Sequence, residues 1–110
     1  MGYTTYFNGE IAIEPPLDSD EILHLTQFSE EDHRTEPDCP GIWCQWIPTL
    51  DGKYLIWDDG EKFYEAAEWM EWLIDNKIKD KHVCNGIIWC EGEDASDQWA
   101  IEVVRSEEHT

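Results

Sequence analysis

Apolar residues occur only in short runs along this 110-residue chain, and the longest run has four positions, as at 87–90. A membrane-spanning helix needs about 18 or more, so we expect no membrane span. The core must therefore come from elements that each carry one apolar face. With 41% hydrophobic residues and seven tryptophans, the chain can build such a core, and we predict one domain over residues 1–110.

Alternation of apolar and polar residues predicts five strands. It is clearest in the first strand, where Phe7, Ile11 and Ile13 share one face. The pair Asp51-Gly52 between two apolar runs predicts a hairpin turn between the second and third strands. The predicted strands cover residues 3–14, 42–48, 54–58, 83–90 and 98–105.

Helical spacing of apolar residues predicts two helices. Asp18 and Glu21 form the pattern of a capping box at the start of the first helix, and the second covers about residues 62–79. The resulting order is β-α-β-β-α-β-β. It indicates an α+β fold with a mainly antiparallel sheet of about five strands and two helices on one face. Residues 106–110 are expected to form a frayed tail.

The charge is the most unusual part of the composition. The chain has 26 Asp and Glu against 7 Lys and Arg, which amounts to a net charge of −19. This excludes a basic groove for nucleic acid, because phosphates require an excess of Lys and Arg. The same charge favours a partner protein with a basic surface.

Carboxylates recur every three or four residues along the predicted second helix, which places them on one side of it. Such a row is either an ordinary solvated face or a surface that imitates the phosphates of DNA and occupies a basic groove. The acidic loop at 91–97 extends the second interpretation. The predicted partner-binding residues are Glu61, Glu65, Glu68, Trp69, Glu71, Trp72, Asp75, Glu91, Glu93, Asp94 and Asp97.

The tryptophans support two interpretations. Those on strands are expected to pack in the core; they are Trp46, Trp57, Trp89 and Trp99. Trp69 and Trp72 flank the apolar stripe of the second helix and, if half-exposed, would anchor a partner. Alternatively, exposed rings could stack on the bases of a small nucleotide. The basic residues available for its phosphates are Lys77, Lys79, Lys81 and Arg105.

No motif predicts catalysis or a cofactor. The cysteines at positions 39, 44, 84 and 90 lack the C-x2-C spacing of structural zinc sites, and we expect reduced thiols, several of them buried. A metal site of His82 with these thiols remains an alternative. The acidic turns do not fit the twelve-residue calcium loop, and no nucleophile motif or glycine-rich phosphate loop is present. We therefore predict no enzyme activity.

Five segments resemble a group of small proteins of unknown activity encoded by tailed bacteriophages. They are GYTTYFNG leading into PPL, GIWCQW, WDDGEKFY, EWMEWLI, and NG followed by GED. Together these segments cover well over half of the chain. The resemblance implies expression in the cytoplasm of an infected bacterium, since the chain also shows no secretory signal. It implies no catalytic residue.

These observations lead to one main hypothesis for function. The protein is predicted to be a non-enzymatic phage accessory protein that inhibits a basic host protein, either a nucleic-acid-binding protein or a defence factor, through an acidic, DNA-mimicking surface. The alternatives are a sponge for a cyclic-nucleotide immune signal and a structural or assembly protein of the phage. Direct contact with nucleic acid or membrane is not expected, and a homo-oligomer remains open.

Overall fold

A computed structural model describes residues 5–60, 63–92 and 96–104. Its order of elements confirms the predicted β-α-β-β-α-β-β fold. Helix α2 continues without a break into a π-helical segment, Ile74–Ile78. The elements are β1 (Tyr6–Glu14), α1 (Ser19–Ser29), β2 (Trp46–Pro48), β3 (Tyr54–Trp57), α2 (Ala66–Leu73), β4 (Val83–Glu91) and β5 (Gln98–Val103).

The five strands form one antiparallel sheet in the order β2-β3-β1-β4-β5. β1 is the central strand and pairs with β4 along its whole length, from Tyr6 opposite Glu91 to Glu14 opposite Val83. β2 and β5 are the edges. This arrangement confirms the predicted α+β class.

Among the described residues, one face of the sheet is covered and the other is open. On β1, Phe7, Ile11 and Ile13 are buried, whereas Tyr6 before them and Glu10 between Phe7 and Ile11 are exposed. The buried strand residues join buried residues of α1 and α2 in a single hydrophobic core. Both helices therefore lie on the same face, because only one side of the alternation is buried.

The start of α1 follows its sequence closely. The Asp18 carboxylate accepts a hydrogen bond from the Glu21 N–H at 2.8 Å, and the Glu21 carboxylate accepts one from the Asp18 N–H at 2.9 Å. This reciprocal pair confirms the predicted capping box. It satisfies backbone donors that have no partner within the first turn of a helix.

The predicted start of the second helix at residue 62 is wrong. Residues 61–62 lie outside the described residues, and α2 begins only at Ala66, after Glu65 with a left-handed backbone (φ 60°). Phe63 packs edge-on against Phe7 and Trp46, with ring centroids 5.7 and 5.0 Å apart. With this ring placed in the aromatic core, residues 63–65 stay outside the helix.

The second strand is also shorter than predicted, because residues 42–45 do not join the sheet. The Ile42 carbonyl instead accepts a hydrogen bond from the His33 N–H at 2.9 Å. The loop after α1 thus holds the start of this segment, while Gln45 at its end still accepts hydrogen bonds from the Asp58 N–H at 3.0 Å and from Trp57 Nε1 at 3.2 Å. β5 ends at Val103, and the predicted tail 106–110 lies outside the described residues.

Two glycines allow close approach of the backbone. Gly52, with φ 73°, forms the predicted turn after Asp51. Gly86 on β4 has φ 156° and lies opposite Ile11, where a Cβ atom would stand 2.6 Å from the Glu10 carbonyl oxygen. The central strand pair therefore depends on the absence of a side chain at position 86. Within the described residues, the helices are too short and too polar to cross a membrane.

Candidate functional site: an acidic groove beside the edge strand

The predicted row of carboxylates on α2 is exposed to solvent where the structure describes it. Glu65, Glu68, Glu71 and Asp75 are all exposed. Glu61 of the same row, and Glu93 and Asp94 of the acidic loop, lie outside the described residues. The row is therefore present on the surface from the start of α2 into its π-helical continuation.

Part of this row forms the wall of a groove between α2 and the edge strand β5. The groove has a volume of about 460 Å³. Three of its lining residues are acidic: Glu71 and Asp75 from the helical side, and Glu102 from β5. Glu102 pairs with the exposed Ile87, so its side chain lies on the open face of the sheet at the rim of the groove. The remaining lining is apolar and consists of Ala67, Met70, Ile74, Trp99, Ala100, Ile101 and Val103. We call this surface the acidic groove.

The strand beside the acidic groove has a free edge. β5 pairs with β4 on one side, and no strand of the described residues pairs with it on the other. Edge strands carry backbone N–H and C=O groups that can pair with another chain. An extended segment that lies along β5 would therefore meet carboxylates, apolar side chains and backbone hydrogen-bonding groups together.

The two predicted acids of the 91–97 loop that the structure describes, Glu91 and Asp97, do not line the acidic groove. Glu91 lies at the end of β4 and lines a shallow depression with Tyr6, Trp89 and Trp99. Asp97 is half-buried, and its carbonyl accepts a hydrogen bond from the Gly92 N–H at 2.8 Å. The predicted acids therefore lie in more than one place on the surface.

The prediction that Trp69 anchors a partner is wrong, because its side chain is completely buried. Its ring packs edge-on against Phe28 at 5.8 Å and against Trp72 at 5.6 Å. Trp72 is half-buried and stacks on Phe28 with the ring centroids 5.4 Å apart. Both tryptophans serve mainly to join α2 to α1.

The tryptophans on the strands differ widely in exposure, which the alternation of residues did not predict. Trp46 is 1% exposed and Trp89 is 62% exposed, so the expectation of core packing is wrong for Trp89. Trp99 is partly exposed, but its ring still packs edge-on against Phe7 of the core at 6.3 Å. Trp99 and Glu102 are the residues of the acidic groove that sequence reasoning missed. Their alternation placed them on β5, but nothing in the sequence indicated that β5 is an edge beside α2.

The lysines proposed for nucleotide phosphates have acidic or polar neighbours. Lys79 Nζ lies 3.8 Å from the Asp75 carboxylate, and Lys77 Nζ lies 3.2 Å from His24 Nε2. Lys77 and Lys81 line a pocket that also contains Asp18, Asp20 and Glu21. A phosphate there would face three carboxylates, so this surface does not favour an anionic ligand. Arg105 lies outside the described residues.

The four cysteines are free thiols, as predicted, and three of them are buried. Burial raises the pKa of Cys44 to about 12 and that of Cys90 to about 11, so both are protonated thiols at neutral pH. The alternative metal site at His82 is not formed, because the His82 ring contacts the Pro15 carbonyl at 2.6 Å and the Glu21 carboxylate at 3.0 Å.

A different group of potential metal ligands does come together in the loop after α1. Its members are His33, Glu36 and Cys39. Desolvation, followed by the hydrogen bond to the Glu36 carboxylate, raises the pKa of Cys39 to about 11. The side-chain hydrogen bond between His33 and Glu36, followed by the one that Cys39 donates, lowers the pKa of Glu36.

Comparison of the chain with protein-family models, with curated protein sequences and with solved structures found no match. The groove and the loop cluster must therefore be interpreted from their own chemistry.

Proposed function

We propose that this protein is a non-enzymatic accessory protein of a tailed bacteriophage that binds and inhibits a basic protein of the bacterial host. The acidic groove is the proposed binding surface. The single observation that carries the proposal is the placement of Glu71 and Asp75 on the helical wall of an apolar groove beside a free strand edge, with Glu102 exposed on that edge strand. The phage origin rests on the resemblance of the sequence segments.

Charge determines which partner this surface can accept. The protein carries a net charge of −19, so basic surfaces are attracted to it and acidic ones are repelled. Carboxylates of Glu71 and Asp75 on the helical side, and of Glu102 on the edge strand, favour Lys or Arg side chains of the partner. Such attraction mainly increases the association rate and weakens as salt screens the charges.

The shape of the groove favours an extended segment. A chain that pairs with β5 would place alternate side chains toward the groove and away from it. Apolar side chains of that segment can contact Trp99 and Val103, while basic ones reach the carboxylates. The preferred target is therefore a basic segment with interspersed apolar residues.

Inhibition would follow from competition. Host proteins that bind nucleic acid or act in defence use basic surfaces to contact phosphates, and a bound acidic protein would occupy those same residues. The exposed row that includes Glu65 and Glu68 extends the negative surface beyond the groove along α2. In this mechanism the protein acts as a DNA mimic for part of the partner surface.

The proposal is tested with two triple variants that remove the same number of negative charges. The groove variant is Glu71→Gln/Asp75→Asn/Glu102→Gln, and the control is Glu10→Gln/Glu14→Gln/Asp20→Asn, at positions that are also exposed. A fluorescent peptide of alternating Lys and Val serves as the probe at low and high salt. We expect the groove variant to bind about tenfold more weakly than the control, because three exposed charge pairs contribute roughly 0.5 kcal/mol each.

A second experiment connects the groove with a natural partner. Lysate of a bacterial host is passed over the immobilised wild-type protein and both variants, and bound proteins are tested for release by duplex DNA. We expect a basic protein that is retained by the wild type and the control, lost with the groove variant, and displaced by DNA. Equal retention by both triple variants would show that only overall charge matters and would remove the groove from the proposal.

A further inference from the structure

Three potential ligand side chains in the loop after α1 are spaced by three residues each: His33, Glu36 and Cys39. Two successive turns hold them, since the Glu36 N–H donates to the His33 carbonyl at 3.0 Å and the Cys39 N–H donates to the Glu36 carbonyl at 3.2 Å. A repeat of about three residues per turn aligns the side chains on one side of the backbone. Pro37 occupies the second position of the second turn, which suits its restricted φ.

The distances between the ligand atoms resemble the edges of a tetrahedral metal site. His33 Nδ1 lies 3.0 Å and Cys39 Sγ 3.3 Å from the same oxygen of Glu36. Bonds of ~2.0 Å to nitrogen and oxygen and ~2.3 Å to sulfur place neighbouring ligands of a tetrahedral zinc ion about 3.3–3.5 Å apart. All three ligand atoms lie within 4.8 Å of one another, so a small movement of the loop completes the site.

The surroundings of His33 orient its ring for metal binding. The ring is 1% exposed and packs on Phe28 at 4.1 Å and on Trp69 at 5.7 Å. Its Nε2 lies 3.0 Å from the Phe28 carbonyl oxygen, an acceptor that requires a proton on Nε2. A backbone carbonyl that binds the second ring nitrogen is the usual support of a metal-binding histidine.

The other ring nitrogen faces a carboxylate. With Nε2 as the donor to Phe28, the Nδ1 lone pair of a neutral ring points at the Glu36 oxygen. Two electron-rich atoms at 3.0 Å repel each other unless a positive centre lies between them. A proton can fill that role, and so can a metal ion that the thiol of Cys39 also reaches.

We propose that His33 Nδ1, a Glu36 carboxylate oxygen and Cys39 Sγ bind one Zn²⁺ ion, with water as the fourth ligand. Binding forms a zinc–sulfur bond and releases the thiol proton of Cys39 to solvent. Imidazole and thiolate favour zinc over the hard cations Mg²⁺ and Ca²⁺, which prefer oxygen ligands alone. Among neighbouring charges, Asp38 favours the ion and Lys77 opposes it.

Zinc at this position would stabilise the loop that shapes the second strand. The His33 N–H already holds the Ile42 carbonyl, so the site lies beside the segment that leads into β2. Three ligands from seven consecutive residues would fix both turns at once. The zinc site is separate from the acidic groove, since none of its three ligands lines the groove. The zinc proposal therefore does not depend on the proposed function.

The test starts from full-length protein that has been reduced and freed of metal with a chelator. Zinc chloride is titrated by calorimetry, and cobalt chloride is titrated while the absorption spectrum is recorded. We expect one ion per chain and, with cobalt, a sulfur-to-metal charge-transfer band together with the intense visible bands of tetrahedral coordination. Zinc at about 100 times its dissociation constant should raise the midpoint of thermal unfolding by about 10 °C.

Variants identify the ligands. Cys39→Ser and Glu36→Gln should each weaken zinc binding by at least ~100-fold, because even supporting groups around a metal site contribute 10–100-fold. Asp38→Asn, an exposed neighbour outside the cluster, and Cys90→Ser, a thiol elsewhere in the fold, should retain the affinity within a few-fold. Far-ultraviolet circular dichroism verifies that each variant is folded.

The test uses variants of Glu36 and Cys39 because Glu36 is exposed and Cys39 is only half-buried. Replacement of the buried His33 would disturb the core. A cobalt complex without a thiolate band would overturn the proposal. So would equal zinc affinity in Cys39→Ser and the wild type, which would identify the binding as adventitious capture by surface carboxylates.

Discussion

Both faces of the sheet carry large apolar and aromatic side chains, but these are buried on one face and exposed on the other. The covered face buries Trp46, Ile11 and Ile88 beneath the helices, while the open face leaves Trp89 and Tyr6 exposed. Both sets come from strands with the same alternation. The difference shows that alternation predicts which residues share a face, but the helices decide which face is the core.

The largest expected contrast is between the two tryptophans. Trp46→Ala should lower the free energy of unfolding by about 3–5 kcal/mol, because it leaves a large cavity and removes the 2.9 Å hydrogen bond to the Ala66 carbonyl. Urea denaturation followed by circular dichroism measures the loss. Trp46→Phe provides a milder variant if the alanine variant does not fold, and it should lose less. A loss below 1 kcal/mol for Trp46→Ala would contradict the assignment of the core face.

The next contrast concerns the close pairing of the two longest strands. Gly86→Ala should cost about 2 kcal/mol, because its φ of 156° disfavours a side chain and the new Cβ would meet the Glu10 carbonyl. Denaturant unfolding measures the change. Ala100→Gly on β5 is the matched control, since it removes a methyl group from an exposed strand position and should cost less. Equal stability of Gly86→Ala and the wild type would show that the strands can separate to admit the methyl group.

The contact between Glu21 and His82, at the margin of the covered face, is expected to have a smaller effect on the free energy of unfolding, and this effect depends on pH. The backbone hydrogen bond from Asp18 first, and the His82 side chain second, lower the pKa of Glu21 below its usual 4.5. The ionised carboxylate therefore stabilises the fold above about pH 4.5, and this stabilisation is lost as the pH falls through the lowered pKa. Glu21→Gln keeps an acceptor for the cap but removes the charge.

We expect Glu21→Gln to be less stable than the wild type by roughly 0.5–1 kcal/mol at pH 7, with the difference disappearing at low pH. Thermal unfolding from pH 7 to pH 3 measures both. Asp20→Asn changes an exposed acid in the same turn and controls for the helix dipole. A difference that is the same for both variants at every pH would remove the contact with His82 from the explanation.

The smallest effect is expected on the open face. Trp89→Ala should change the free energy of unfolding by no more than about 0.5 kcal/mol, because the ring is 62% exposed. Measured beside Trp46→Ala under the same conditions, it tests the comparison directly. A loss above 2 kcal/mol would indicate that a second layer covers this face in solution.

The ends of helices and strands were predictable where they depend on interactions between residues close together in the sequence. The capping box of Asp18 and Glu21 and the Asp51-Gly52 turn each act over a few residues, so the sequence contained all the information they require. The start of α2 was not predictable. It depends on Phe63 packing against Phe7, which lies 56 residues earlier in the chain.

The residues of the candidate site also include some that the sequence predicts and some that it does not. The exposed row with Glu68 and Glu71 follows from helical spacing alone. Glu102 lies at the rim of the groove beside that row only because β5 is the edge strand next to α2. The burial of Trp69 was not predictable, because helical spacing gives the direction of a side chain but not how deeply the neighbouring helix covers it.

The sequence by itself determined the fold class, the order of the elements and the strong negative charge, because periodicity and composition are properties of the chain alone. Only the tertiary structure decided that the acids of α2 line an apolar groove beside the edge strand β5, and that the buried ring of His33 turns toward Glu36 and Cys39. The groove depends on contacts between elements distant in the sequence. The direction of the His33 ring depends on its packing against Phe28 and Trp69.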